Sequence, residues 1–366
     1  MENRKLVVRH LGRVEYEDGL DLMEKVAKAR DEGRCPDTLL LLEHPPVITR
    51  GRGADVANIL LRDDELRARG VEVHETNRGG DVTYHGPGQV VGYPIFDLKP
   101  DRRDVRRYVR DVEEAIIRTL AAWGVEAGRI PKWTGVWVGE ESDPEAAKVA
   151  AIGVHIKKWI TTHGFALNVM TDLSHFGMIV PCGITERGVT TLSRLVGRLV
   201  DPDEVAKVAG GKFGEVFGWP AEERGFDLET VAVALLRQTA GEPEVLVLRR
   251  TAERGGFEQI VTGRIEAGET PADTAAREVR EETGLSLPLV DLRYVHAFGY
   301  GDQPLFIREH GFAAVVPPGA QVHISAEHDA AEWVPLSRAL PRLPFAGLRR
   351  TVEKAAALPL LQKVAV

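Results

Sequence analysis

A chain of 366 residues is long enough for two domains of ordinary size, and 43% hydrophobic with 28% charged residues suits packed cores rather than disorder. The net charge of −8 argues against a nucleic-acid binder that relies on bulk charge, and no apolar run approaches the ~20 residues that cross a bilayer. The N-terminus lacks a signal-peptide core and the only cysteines, Cys35 and Cys182, form neither a disulfide framework nor a Cys-x-x-Cys pair, so a reducing, cytoplasmic setting is expected.

Residues 39–42 are continuously apolar and run into Glu43-His44-Pro45-Pro46, which predicts a buried strand entering a turn. Residues 82–96 read as a hairpin, with Val82-Thr83-Tyr84 and Val90-Val91-Gly92-Tyr93 flanking Gly86-Pro87-Gly88. The basic run at 101–107 reads as a solvated helix face or a surface for an acidic protein. Val105, Tyr108, Val109, Val112, Ile116, Leu120 and Trp123 recur at helical spacing, with Gly124 closing that helix. Residues 134–169 are strand-rich, interrupted at 140–144. Asp201-Pro202-Asp203-Glu204 starts a helix whose buried face would carry Val205, Val208, Phe213 and Phe217. Residues 218–225 break the pattern and a fresh strand begins at Thr230, so the domains are placed at 1–220 and 226–366. Both halves mix helices and strands, an α+β chain overall.

The most constrained motif is GRIEAGETPADTAAREVREETGL at residues 263–285. Its fixed positions are Gly263, Glu269, Arg277, Glu278, Val279, Glu281, Glu282, Gly284 and Leu285. Glu278, Glu281 and Glu282 fall at i, i+3 and i+4, on one helix face, where they repel each other unless a divalent cation reverses the sign. Three glutamates alone would read as a solvated acidic helix; the whole register resembles the Nudix hydrolase family, over residues ~226–366. That resemblance implies an α/β/α sandwich that cleaves a nucleoside diphosphate linked to another group, using magnesium or manganese. It makes Glu278 and Glu282 the main metal ligands and Glu281 a lesser ligand or general base, with a Glu269–Arg277 ion pair shaping the preceding loop. Residues 257–263 and 326–333 resemble the dihydroneopterin triphosphate pyrophosphatase branch, which implies Glu327 as a further ligand and a small nucleotide or pterin diphosphate as substrate. Phe257-Glu258 departs from that branch, where a tryptophan often precedes the glutamine.

Cys182 stands between Pro181 and Gly183, a turn that allows close backbone approach to a thiol; a lone cysteine is otherwise more often a small buried hydrophobe. Lys148 heads the small, apolar run Val149-Ala150-Ala151-Ile152-Gly153 and reads either as a surface lysine at a loop–strand junction or as the base of a Cys–Lys dyad. Residues 78–89 hold four glycines and a proline, fit for a ligand or for a plain hairpin loop. In residues 162–169, Gly164 and Ala166 are small enough to leave room for an acyl chain. Together with Glu43-His44-Pro45-Pro46-Val47, Thr134-Gly135-Val136-Trp137-Val138 and Gly188-Val189-Thr190-Thr191-Leu192, these blocks resemble the lipoyl(octanoyl) transferase family across residues ~5–217.

The resemblance implies a mixed α/β fold related to biotin and lipoate ligases, and octanoyl transfer from acyl carrier protein to a lysine of lipoyl domains, without a cofactor. The acceptors would be the lipoyl domains of 2-oxoacid dehydrogenases and the glycine cleavage H protein. Carried over by position, Cys182 accepts the acyl group and Lys148 is its partner. Arg78, Gly79, Gly80, Asp81, Val82, Thr83, Tyr84, His85, Ala151, Ile152, Gly153, Gly164, Phe165 and Ala166 would line the acyl site. The loop at 140–147 is longer than in compact members. One alternative is an ATP-dependent lipoate or biotin ligase, whose acyl-adenylate chemistry needs no cysteine; another makes the second domain a non-catalytic nucleotide sensor. The Pro181-Cys182-Gly183 turn speaks against the first, and the complete set of box glutamates against the second.

Overall fold

A computed structural model describes residues 4–180, 187–300 and 305–358. The chain divides into two compact units, one of Met1–Phe226 with Phe298–Leu305 and one of Asp227–Ala297 with Phe306–Val366.

The first unit runs β1 (Leu6–Arg13), α1 (Tyr16–Asp31), β2 (Asp37–Glu43), β3 (Val47–Arg50), α2 (Asp63–Ala68), β4 (Glu72–Glu75), β5 (Val82–His85), β6 (Gln89–Ile95) and α3 (Val105–Ala121). It continues through β7 (Gly128–Ile130), β8 (Trp133–Val138), β9 (Ala147–Lys157), β10 (Ile160–Asn168), β11 (Gly188–Val189), α4 (Leu192–Val196), α5 (Pro202–Phe217) and β12 (Ala221–Arg224). The main sheet has the order β12-β1-β2-β6-β10-β9-β8-β7, with β11 joining β9, and a separate small sheet has the order β4-β3-β5.

The apolar run in β2 is the buried strand its composition demands, and β6 is buried along its whole length. The hairpin expected at 82–96 does not form: β5 pairs with β3, whereas β6 lies between β2 and β10. A strand buried on both faces needs ladder partners on both edges, and β6 finds them in the main sheet. The helix expected after residue 104 is α3, started by Asp104, whose side chain accepts from Arg107 N. Its buried face carries Tyr108, Val112, Ile116 and Leu120, while Val105 is exposed. α5 begins at the Asp201 cap with Pro202 in its first turn and ends at Gly218 in the left-handed region. α3 and α5 close one core against the sheet, with Leu39, Val90, Ala150, Phe165, Leu167 and Phe213 among its members. The expected break at 218–225 is a strand as well, since β12 pairs parallel to β1.

The rest of the chain runs β13 (Leu228–Arg237), β14 (Glu244–Arg250), β15 (Glu258–Gln259), β16 (Val261–Arg264), α6 (Pro271–Thr283), β17 (Val290–Tyr300), β18 (Leu305–Val315), β19 (His328–Pro335), α7 (Leu336–Ala339) and α8 (Ala346–Ala356), all in the second unit except for the residues of β17 and β18 that fall in Phe298–Leu305. Its sheet has the order β15-β14-β13-β18-β17, with β16 on β13 and β19 on β14. Alternate residues of β13 feed two cores: Ala232, Ala234 and Leu236 meet α8 residues, and Val231, Val233 and Leu235 meet Ala275 and Val279 of α6. The result is a sheet between helices. Among the described residues no helix is long and apolar enough to cross a membrane.

Candidate functional site

In the first unit, β6, β10 and β9 stand side by side, and their register fixes what each side chain faces. Val91, Ala166 and Ala151 lie in one cross-strand row and Gly164 pairs with Gly153, while Val90, Leu167 and Ala150 form the adjoining row in the core. Strand alternation therefore puts the small residues on the face away from α3 and α5. There they floor a cleft also lined by Tyr16, Arg78, Gly79, Gly80, Thr83, His85, Tyr93 and His163. Ile152 and Phe165 border the cleft but pack into the core, Phe165 stacking on Phe213 at 5.3 Å between centroids.

Eleven of the fourteen expected acyl-site residues are among the cleft-lining set; Asp81, Val82 and Tyr84 are not. Alternation along β5 explains two of them: Thr83 and His85 face the cleft, and Val82 and Tyr84 enter a separate core with Ile48 and Met178. Tyr84 hydrogen-bonds His175 Nδ1 at 2.5 Å. Asp81 instead caps the loop before α2, accepting from Asp55 N at 3.1 Å and Asn58 Nδ2 at 2.5 Å. Tyr16, Val91, Tyr93 and His163 join the lining without having been singled out from the sequence.

The polar end of the cleft is built around Arg78. Its guanidinium donates from Nη2 to Thr49 O (2.7 Å) and to Thr49 Oγ1 (2.8 Å), which ties the glycine loop to β3. His85 donates from Nδ1 to Gln89 Oε1 (2.8 Å) and His163 from Nε2 to Asn77 Oδ1 (2.6 Å). Behind them His44 donates from Nδ1 to Val14 O (2.7 Å) and accepts from Tyr93 Oη (2.7 Å). Burial holds the His44 imidazole down to about 4 and, reinforced by charges that include Arg78, holds His85 and His163 down to about 3. All three are neutral at pH 7.

Lys148 is buried within the sheet, between β8 and β11. Across β8, Val136 pairs with Ala150 but Trp137 pairs with Lys148, so β9 carries one extra residue in a bulge at Val149. Val149 and Ala150 both enter the core. The bulge reverses the alternation and turns Lys148 to the face of Ala151 and Gly153. Its Nζ stands 4.9 Å from the centroid of the Trp137 ring. Cys182 lies outside the described residues. Of its flanks, Val180 N donates to Asn58 O (2.8 Å), and Val189 pairs with Lys148, whose carbonyl accepts from Thr190 N (3.0 Å).

In the second unit the box motif forms the loop and helix α6. Thr270 and Asp273 make a reciprocal capping box, Pro271 opens the helix and Gly284 closes it in the left-handed region. Arg277 clasps Glu269 through two bonds of 2.7 and 3.0 Å and holds that carboxyl down to about 2. Its Nη1 also reaches Glu278 (2.7 Å) and Glu281 (3.1 Å). Glu282 is buried, its Oε2 has no hydrogen-bond partner among the described residues, and burial with the nearby Glu278 pushes its carboxyl up to about 8. Glu281 is exposed, and Glu327 is held by Arg250 and Arg254, each 3.0 Å from its Oε2. Among the described residues no three such side chains already converge as a ligand set. An orphaned buried carboxylate oxygen beside a second carboxylate nevertheless fits a hard divalent cation.

The lipoyl protein ligase A/B catalytic domain family matches residues 15–214 and the NUDIX domain matches residues 228–354. The octanoyltransferase of Myxococcus xanthus is 56% identical over 354 residues, covering 96% of this chain and 99% of that protein. The chain belongs to the octanoyltransferase family. Another octanoyltransferase, from Solibacter usitatus, is 53% identical over 214 residues, 58% of this chain and 94% of its own. A lipoate-protein ligase A bound with ATP is similar at 20% identity and TM-score 0.48, covering 62% of this chain and 90% of its own. The dihydroneopterin triphosphate pyrophosphohydrolase of E. coli is 27% identical with TM-score 0.31, covering 34% of this chain and 92% of its own. This member of the octanoyltransferase family thus carries a lipoate ligase-like first fold and a NUDIX second fold, an acyltransferase with a hydrolase domain.

Proposed function

We propose that the first domain, residues 1–220, moves an octanoyl group from acyl carrier protein to a lysine of a lipoyl domain through a thioester on Cys182, in the cytoplasm. The observation that carries this reading is the bulge at Val149, which spends a sheet irregularity on turning a lysine to the cleft face. Lys148 takes the proton of the Cys182 thiol, and the thiolate attacks the thioester carbonyl of the donor. The carrier's thiolate then leaves and takes that proton back from Lys148, which is again neutral. In the second half Lys148 takes a proton from the incoming amine, which forms the amide as the Cys182 thiolate departs. Ala151 and Ala166 present only methyl groups to the cleft that would take the alkyl chain, Gly153 and Gly164 admit the backbone of Gly79 and Gly92 beside it, and neutral His85 and His163 keep that wall free of added charge. Transfer to a lipoyl domain should proceed from octanoyl-acyl carrier protein with no nucleotide present. A strict requirement for ATP would favour the ligase reading instead.

For residues 226–366 we propose magnesium-dependent cleavage of a small nucleotide or pterin diphosphate. Glu278 and Glu282 would hold the ion, with Glu281 and Glu327 in reach once released by their arginines. A bound ion would neutralise the diphosphate and activate water. Arg277 fixes the loop that carries Glu269. Phosphate and pyrophosphate release across a panel of nucleotides and pterin triphosphates, with magnesium and with chelator, tests this and names the substrate.

A further inference from the structure

We infer that Glu113, Gly135 and Trp137 are positioning residues for Lys148, forming a cradle that fixes its ammonium group on the cleft face. The inference rests on the proton-transfer role proposed above for that lysine.

A lysine side chain has four rotatable carbons, so a bulge that aims its Cβ does not by itself aim its nitrogen. The stem runs across Gly135 of β8. A Cβ there would lie 3.4 and 3.5 Å from Lys148 Cε and Cδ, and only 2.6 Å from Ala150 O. Gly135 also has φ +127°, a region L side chains rarely adopt, so the floor under the stem is glycine by necessity on both counts.

That floor is held from below. The Gly135 N–H donates to Glu113 Oε1 of α3 at 3.2 Å, and the other carboxylate oxygen of Glu113 accepts from Arg129 Nε at 3.0 Å. Glu113 is buried, in a helix whose other inward residues are apolar or Thr119. A buried carboxylate is expensive unless its bonds matter, and here it pins the backbone beneath the lysine.

The far end is held by an aromatic face. Trp137 is fully buried, its indole N–H donates to Trp133 O at 3.1 Å, and its ring lies against Trp133. It belongs to a small cluster with Ile130 and Ala146 rather than to the main core. A π face attracts an ammonium without offering it a proton acceptor. The indole fixes the direction of the ammonium.

The test is a pair of double-mutant cycles on octanoyl transfer, with Trp137→Leu and Glu113→Ala each made in the wild-type and Lys148→Ala backgrounds. Each single variant is expected to lower kcat tenfold or more while KM for octanoyl-acyl carrier protein stays within threefold. Trp137→Phe and Glu113→Gln, which keep a ring face and an acceptor, should recover most of the rate. In the Lys148→Ala background neither change should lower transfer by more than twofold further. Losses that multiply fully onto Lys148→Ala, or a wild-type rate in both single variants, would overturn the inference. Should Trp137→Leu fail to fold, as judged by its thermal midpoint, the Glu113 cycle decides alone. Full transfer by Lys148→Ala itself would instead overturn the underlying role of the lysine.

Discussion

A side chain at Gly263 would collide with Glu278: its Cβ would lie 2.0 Å from the carboxyl carbon of the glutamate. The first glycine of the box motif is therefore spatially tied to the carboxylate fifteen positions later, through the packing of β16 on α6. Gly263→Ala must displace Glu278 from its place beside Glu282. We expect it to lower magnesium-dependent diphosphate hydrolysis at least tenfold, measured as phosphate release, with octanoyl transfer unchanged.

Glu282 carries a buried oxygen with no hydrogen-bond partner among the described residues. Glu282→Gln keeps the shape and removes the charge that would hold a cation, so hydrolysis should fall a hundredfold or more. The rise in thermal midpoint that magnesium gives the wild type should vanish as well. Octanoyl transfer by the same variant should stay within about twofold, a barrier change of roughly 0.4 kcal/mol. A tenfold change in transfer would instead mean that the two activities are coupled.

Lys148 lies inside the sheet rather than at a strand edge, so its replacement also tests packing. Lys148→Met retains the buried stem and should keep the thermal midpoint near wild type while transfer falls by orders of magnitude. Lys148→Arg should fail too, because a guanidinium does not act as a base. Full activity in the arginine variant would remove the proton-transfer role.

The three buried imidazoles set an acid limit on stability. His44, His85 and His163 are held down to about 4, 3 and 3, below the ~6.5 of an unfolded histidine. Between those values the unfolded chain binds protons that the folded chain does not. Stability is therefore full above pH ~6.5 and is lost as pH falls through about 4 for His44 and about 3 for His85 and His163. Chemical denaturation at pH 7.5, 6 and 5 should give decreasing midpoints. His163→Gln should flatten that dependence even if it lowers the midpoint at pH 7.5.

Much of this was legible in the sequence because local chemistry decided it. Pro271 and Asp273 suit the first turn of α6 and Gly284 its C-cap, and the glutamate spacing follows from helical geometry; the Thr270 cap is seen only in the structure. The row of Ala151, Gly153, Gly164 and Ala166 could be read as small, but that it floors one face follows from register between β9 and β10. Register was also what misled the hairpin reading: β5 and β6 are neighbours in the chain with partners in different sheets. Tyr16 enters the cleft from α1 with no local signal; Tyr93 follows from its place two residues after Val91 on β6, whereas His163 is out of step with Gly164 and Ala166 and reaches the cleft through a left-handed backbone of φ 55°. The bulge at Val149 had no composition cue, yet without it Lys148 would face the core. The edge strand β12 resembles a break in the sequence because its polar, charged residues suit an exposed edge as well as a loop.

A covalent octanoyl-enzyme on Cys182 is visible by intact-protein mass spectrometry. Cys35, the other thiol, is half-buried with its sulfur 3.6 Å from Val26 O, and burial pushes it up to about 11, so it offers little thiolate at pH 7. Incubation with octanoyl-acyl carrier protein and no acceptor should add one octanoyl mass to the wild type and to Cys35→Ser, the adduct being released by hydroxylamine and discharged by a lipoyl domain. Cys182→Ala should gain nothing. An octanoyl adduct of equal yield on Cys182→Ala would contradict the account.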